Sequence, residues 1–239
     1  MFLFYFRVGA IFWLPLVGPM SRIPKTVRFI VVNILIISVF LMQGAGSAAP
    51  VLDGYPYILL LGMELLTGLV FTLILTVPAV VLLFLGRAVD MQIGLGAAGI
   101  FNPTSKTQDS LLGVLFSLAA LTLFWSLGLH LDVLKILIES TKVLPLGQAY
   151  HLSYKIYMEY FSTSFVLGFM IFFPVITSLF IVDVCSGIVS KSMPQMSIYF
   201  VIMPLKILIG FIVMAITLTH LSSHFELLVR APVKFLMGQ

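Results

Sequence analysis

The sequence predicts an all-α membrane protein with about five or six long hydrophobic segments. Two observations carry that prediction: an extreme shortage of charge, and long runs without any. Of 239 residues, 61% are apolar and 9% charged, against about 25% charged in an average soluble domain. So few charged side chains cannot provide the polar surface that a soluble domain of this size needs. Disorder, which requires low hydrophobicity, is excluded by the same composition. Runs such as Leu69-Val70-Phe71-Thr72-Leu73-Ile74-Leu75 are apolar on both faces, unlike the alternating ten-residue segments of a membrane β-barrel.

Five stretches carry no Asp, Glu, Lys or Arg: Phe29–Leu52, Leu65–Gly86, Ser110–Leu131, Tyr160–Val182 and Ile207–Phe225. Each is long enough to cross a hydrocarbon layer of about 30 Å as a helix rising about 1.5 Å per residue. A helix also satisfies its own backbone groups in lipid. A sixth segment, Val8–Ser21, is shorter and holds Pro15 and Pro19, and it reaches Met1 only by burying Arg7. Met1–Phe6 has no preceding positive region and lacks the order of a secretion signal. Arg22, Lys25 and Arg28 precede an apolar run ending in Gly46-Ser47-Ala48-Ala49. Its distance from Met1 makes it a retained helix with a small-residue exit.

Charge elsewhere is uninformative about nucleic acid and about topology. The 13 Lys and Arg are scattered singly, so no basic stripe offers a grip on phosphates. Alternating the six segments across a bilayer puts Arg7, Lys135, Lys142, Lys155, Arg230 and Lys234 on one side. Arg22, Lys25, Arg28, Arg87, Lys106, Lys191 and Lys206 fall on the other. That balance fixes no orientation, and hints that this chain alone does not govern its insertion.

The motifs that could carry enzymatic chemistry fail on context. Gly94-x-Gly96-x-x-Gly99 matches a dinucleotide fingerprint in letters. It lacks the preceding strand and the acid about 20 positions on; small residues here instead permit close packing or a bend. The lone Cys185 gives no disulfide or thiolate site. Among the four histidines only His220 and His224 stand at helical spacing, too little for a metal centre. No nucleophile elbow or P-loop is present. The sequence therefore predicts neither an enzyme nor a cofactor.

Polar residues at the ends of the apolar runs stand out instead: Glu64, Arg87, Asp90, Gln92, Asp183, Lys191, Gln195 and Lys206. Such groups near a bilayer mark pairs, pathways or interfaces, or are anchors solvated by headgroups. Arg87 and Asp90 are spaced to pair along one helix face, and Asp183 can meet Lys206 if the chain folds back between them. Pro103, Pro145, Pro194 and Pro204 all fall in connections, so Asn102-Pro103 and Met193-Pro194 read as turns between helical hairpins. Ser105–Ser110 is the most polar short stretch and a candidate mobile loop.

These residues together form a pattern. Val89-Asp90-Met91-Gln92-Ile93-Gly94, Asn102-Pro103, Gly128-Leu129-His130, Ser140 and Leu144-Pro145-Leu146-Gly147 resemble the central region of the FliR family of export-gate proteins. Asp183, Gly187, Lys191, Pro194-Gln195-Met196, Met203-Pro204-Leu205-Lys206 and Gly210 resemble its second signature. Arg7, Pro15, Ile23-Pro24 to Arg28, and Glu64 with Gly68 agree as well, so the resemblance covers nearly the whole chain. Asn102, Leu129, Lys191, Ser197 and Thr72 depart from the family's usual Asp, Gly, Arg, Asn and Gly.

The resemblance implies a single export-gate domain over residues 1–239, in the bacterial inner (cytoplasmic) membrane at the flagellar basal body. The implied partners are P-type and Q-type gate subunits, a B-type substrate-specificity switch protein, unfolded protein substrates in the pore and membrane lipid. Bent apolar hairpins pack into a multi-subunit helical gate with no covalent chemistry. Gly99, Asn102, Pro103, Ser105, Lys106 and Gln108 fall in the segment that matches the family's pore plug. The gate-interface or polar-pair candidates are Glu64, Arg87, Asp90, Gln92, Gly94, His130, Asp183, Lys191, Pro194, Gln195 and Lys206. Asp90-Met91-Gln92-Ile93-Gly94 favours the flagellar branch over the related injectisome gate. A small-molecule secondary transporter is the alternative from another class; its faint mark is that Asp90 and Asp183 each end an apolar run.

Overall fold

The computed structural model describes residues 2–13, 24–43, 56–94, 110–144, 146–147, 154–192 and 198–238. Among these are eight helices: α1 Phe2–Trp13, α2 Lys25–Gln43, α3 Tyr57–Ile93, α4 Leu111–Ser126, α5 Leu129–Val143, α6 Tyr154–Ser192, α7 Ile198–His220 and α8 Ser222–Met237. The protein is an all-α membrane protein. Three described helices, Tyr57–Ile93, Tyr154–Ser192 and Val201–His220 within α7, are long and apolar enough to cross a bilayer. Counting the bent pair α4 and α5 as one span makes four.

Three or four helices among the described residues are thus of spanning length, which does not confirm the expected five or six segments. Two of the expected runs are interrupted in the structure. Ser110–Leu131 is broken at Gly128, whose φ of 70° lies in the left-handed region, and α4 and α5 meet there at 69°. Glycine enters that region without the Cβ clash of other residues. Ile207–Phe225 is interrupted between His220 and Ser222, so His220 and His224 end up on different helices and do not share a face. The first run is helical to Gln43, and its remainder lies outside the described residues.

The short N-terminal segment also differs from expectation. Helix α1 starts at Phe2 and buries Arg7 completely. Pro204, expected in a connection, lies inside α7, and Pro78, Pro174 and Pro232 are likewise interior to helices. Interior proline costs a backbone hydrogen bond, a loss that membrane helices absorb when neighbouring groups satisfy the freed carbonyl. Asn102-Pro103, Pro145 and Met193-Pro194 lie outside the described residues.

The described chain divides into two compact units. The first comprises Met1–Val80, Leu121–Phe161 and Arg230–Gln239. In it Phe4, Val8 and Ile11 of α1, Leu60, Ile74 and Val77 of α3 and Val133 and Leu137 of α5 are buried. The second comprises Val81–Ala120 and Ser162–Val229. There Leu82, Leu85 and Val89 of α3, Leu112 and Phe116 of α4, Phe172 and Leu179 of α6 and Leu228 of α8 are buried. The Phe116 ring sits 4.7 Å from Phe172 and 6.2 Å from Phe225, within the range of favourable aromatic pairs.

Burial is uneven along the spanning helices. In the most apolar stretch of α3, 61% of residues are buried, against 28% in α6 and 17% in α7. Phe169, Phe173, Phe180, Ile181 and Ile188 of α6 and Val201, Leu208, Phe211 and Ile216 of α7 remain exposed. An apolar surface of that extent needs a nonaqueous neighbour.

Candidate functional site: two buried polar clusters and an ion pair

In the first unit, α1 delivers a cation into the core and α3 delivers the matching anion. Arg7 donates from Nε to Glu64 Oε2 at 2.6 Å and from Nη2 to Oε1 at 3.0 Å, a two-pronged pair with both side chains fully buried. Arg7 Nη1 also donates to the Leu144 carbonyl at 3.1 Å and to Ser140 Oγ at 3.4 Å. Glu64 Oε1 accepts the Gly147 N–H at 2.7 Å. Planar guanidinium and carboxylate match in this way, and the additional bonds satisfy their remaining donors and lone pairs. The cluster ties α1, α3, the end of α5 and the turn after it.

The same two helices approach closely at Gly68, one turn beyond Glu64. A Cβ at Gly68 would overlap the Arg7 carbonyl and come within 2.6 Å of Ala10 Cβ. One turn further, Thr72 Oγ1 donates to Gly68 O at 2.8 Å and reaches Ala10 O at 3.4 Å. Small residues let the backbones meet and a hydroxyl adds a polar stitch, the usual means of helix association where lipid offers no hydrophobic contrast.

In the second unit, Asp90 is buried near the end of α3 and faces the start of α4. Its Oδ2 accepts the Ser110 hydroxyl at 2.7 Å, and the Leu112 N–H lies 3.3 and 3.2 Å from Oδ1 and Oδ2. Ser110 Oγ in turn accepts the Gly113 N–H at 2.8 Å. Ser110 is therefore the N-cap of α4, and Asp90 places a negative charge against that helix's positive end. The expected pairing of Arg87 with Asp90 is not the one formed: Arg87 is exposed, and the buried carboxylate takes uncharged donors instead. A close contact of Gly86 with the Gly113 backbone brings α3 and α4 together.

Gly94 ends α3 with φ 93°, which gives the first glycine of the Gly94-x-Gly96-x-x-Gly99 motif a role as a helix stop. Gln92 Nε2 donates to the Ile176 carbonyl of α6 at 3.2 Å. On the same unit Lys206 of α7 is ion-paired with Asp183 of α6. This pair is partly exposed and lines a cavity of about 290 Å³ with Gly94, Ser186 and Met203. Lys191 is exposed in the last turn of α6. His130 of α5, in the first unit, stacks on Trp125 with centroids 4.6 Å apart, and its Nδ1 is buried without a partner.

Gly99, Asn102, Pro103, Ser105, Lys106, Gln108, Pro194 and Gln195 lie outside the described residues. Sequence reasoning singled out Glu64 and Asp90 but missed their partners. Arg7 carried a usable signal: a lone charge inside the apolar stretch Phe2–Trp13 must find an opposite charge if the stretch is buried. Ser110, a hydroxyl directly before an apolar run, is an N-cap signal. The Gly147 N–H and Leu144 carbonyl carried none, because backbone groups have no residue type. Among the described residues no group of three or more His, Cys, Asp or Glu is placed to hold a metal ion.

Apolar helices of spanning length, with a buried polar cluster inside each unit, define a polytopic all-α membrane protein. The chain belongs to the bacterial export proteins, family 1, whose model matches residues 1–231. It is 32% identical over 169 residues to flagellar biosynthetic protein FliR of Aquifex aeolicus and 30% identical over 169 residues to that of Bacillus subtilis. Both alignments cover 68% of this chain and 65% of the relative, so the chain spans slightly less than two thirds of these relatives' length. Yop proteins translocation protein T of Yersinia pestis is 26% identical over 192 residues, covering 77% of this chain and 74% of the relative.

Proposed function

We propose that this chain is a non-enzymatic subunit of the bacterial flagellar type III protein export gate, located in the inner membrane at the flagellar basal body. The observation that carries the proposal is the family match over residues 1–231, together with FliR relatives at 30–32% identity. In this reading the chain assembles with P-type and Q-type subunits and a B-type switch protein around a pore for unfolded substrates. The exposed apolar faces of α6 and α7 support it, since subunits or lipid would cover them. Glu64, Arg87, Asp90, Gln92, Gly94, His130, Asp183, Lys191, Pro194, Gln195 and Lys206 then stabilise the gate's helices and interfaces.

Gly99, Asn102, Pro103, Ser105, Lys106 and Gln108 contribute to the pore plug in the same proposal. The Asp90–Ser110 bond supports that assignment, because it holds together the two described ends between which the proposed plug segment lies. Deleting 105–109 while keeping Ser110 therefore spares the clasp. The expected result is a complex recovered at normal yield, with raised small-ion permeability of the membrane. Unchanged permeability with normal assembly refutes the plug role.

The injectisome is the second reading, favoured by the similarity to Yop proteins translocation protein T. The family match favours both export readings over the small-molecule transporter. Mild-detergent extraction of the tagged full chain, followed by mass determination, tests the central proposal: a large complex with other small membrane subunits is expected. A stable lone protomer would refute it. Loss of swimming on deletion of the chain, with intact virulence secretion, separates the flagellar reading from the injectisome.

A further inference from the structure

Pro78 lies inside α3 and has no N–H to give, so the carbonyl four residues earlier, that of Ile74, loses its helical partner. Ile74 is fully buried and Pro78 is buried beside it, which leaves that oxygen without ready access to bulk water. The Tyr160 hydroxyl of α6 donates to it at 2.9 Å. The ring that carries the hydroxyl is itself held, 7% exposed and stacked on Phe235 of α8 with centroids 4.5 Å apart. A side chain 86 positions away thus supplies the hydrogen bond that the proline removed.

We propose that Tyr160 is a latch on a proline hinge in α3. With the hydroxyl on the Ile74 carbonyl, the backbone at Pro78 is held in one conformation. When the hydroxyl leaves, the carbonyl must be hydrated, and α3 is free to change its bend. A neutral hydroxyl–carbonyl bond is roughly half as strong as a charge-assisted one, and the Arg7–Glu64 pair in the same unit makes two of the latter. The latch therefore opens reversibly while the ion pair keeps α1 on α3. The hinge rests on the hydrogen bond alone; its physiological use, adjusting the bend of a gate helix during export, rests on the function proposed above.

The test uses the full chain in its extracted complex, with Cys185→Ser removing the native thiol. Spin labels at Leu66→Cys and Ala88→Cys, both exposed positions of α3, stand about 33 Å apart along a straight helix. Tyr160→Phe keeps the ring and its stack on Phe235 and deletes only the hydroxyl. The expected result is a broader label-to-label distance distribution and a thermal midpoint lower by roughly 2–4 °C. Pro78→Ala restores an N–H for the Ile74 carbonyl, so adding Tyr160→Phe to it should change neither reading.

An unchanged distribution in Tyr160→Phe overturns the latch. So does an equal effect of Tyr160→Phe with and without Pro78. Export of a reporter substrate is read separately: reduced export alongside broadened distances supports the physiological use. Normal export with broadened distances overturns that use, and the function proposal stands or falls on its own extraction test.

Discussion

Replacing Glu64 with Gln should be the most damaging conservative change in the first unit. It removes a charge and leaves the Arg7 guanidinium in a site where both side chains are fully buried. Breaking a buried ion pair from one side costs about 3–5 kcal/mol, because the remaining charge stays desolvated. Arg7→Leu should cost a similar amount from the other side, leaving the Glu64 carboxylate with the Gly147 N–H at 2.7 Å as its remaining donor. Against a total stability of about 5–15 kcal/mol, either loss threatens the folded unit. At roughly 2–4 °C per kcal/mol for a chain of this size, the thermal midpoint should fall by about 6–20 °C. The double variant Arg7→Leu with Glu64→Leu removes both charges together and should recover much of that loss, since an apolar replacement of a buried pair is often neutral. Thermal unfolding of the extracted complex, read by loss of helical signal, supplies all three values. Single variants that shift the midpoint by less than about 3 °C, or a double variant that simply sums them, would falsify the account of a mutually dependent buried pair.

Asp90→Ala should destabilise by about 1–3 kcal/mol, because the Leu112 N–H and Ser110 hydroxyl lose their shared acceptor in a buried place; Asp90→Asn, which keeps an acceptor, should cost less. Ordering the two by thermal midpoint checks this, and equal effects would show that the carboxylate's charge against α4 matters more than the hydrogen bonds. Asp183→Ala should act differently. Its pair with Lys206 is partly exposed, so the effect on folding should stay near 1 kcal/mol or below. Recovery of the multi-subunit complex should nevertheless fall if the pair serves an interface, and normal recovery would reduce it to a solvated anchor.

Particular residues show how far the sequence could be read. The charge-free runs located α3, α6 and α7, because a helix in lipid must be apolar over about 20 residues and that demand is written in composition. Gly128 was visible as a residue but not as a break: its φ of 70° is a choice of backbone that glycine permits without requiring. Pro204 misled, since proline usually ends helices, yet this one is carried inside α7. Glu64 and Asp90 stand out in the sequence as costly charges near apolar runs. Spacing alone suggested Arg87 for Asp90, whereas the fold turned Asp90 to Ser110 and exposed Arg87.

What the sequence by itself determined is the class of solvent: with 9% charge, most of this surface must meet lipid or protein, and order and spacing of its polar residues placed it in one family. Tertiary structure decided which charge answers which. Arg7 and Glu64 are 57 positions apart, and Tyr160 and the Ile74 carbonyl 86. Pairings at such separations arise from helices laid side by side, and backbone groups such as the Gly147 N–H enter them without any signature in residue type. The physical reason is that hydrophobicity acts through amount and is legible in one dimension, whereas a hydrogen bond acts through distance and direction, which exist only once the chain has folded.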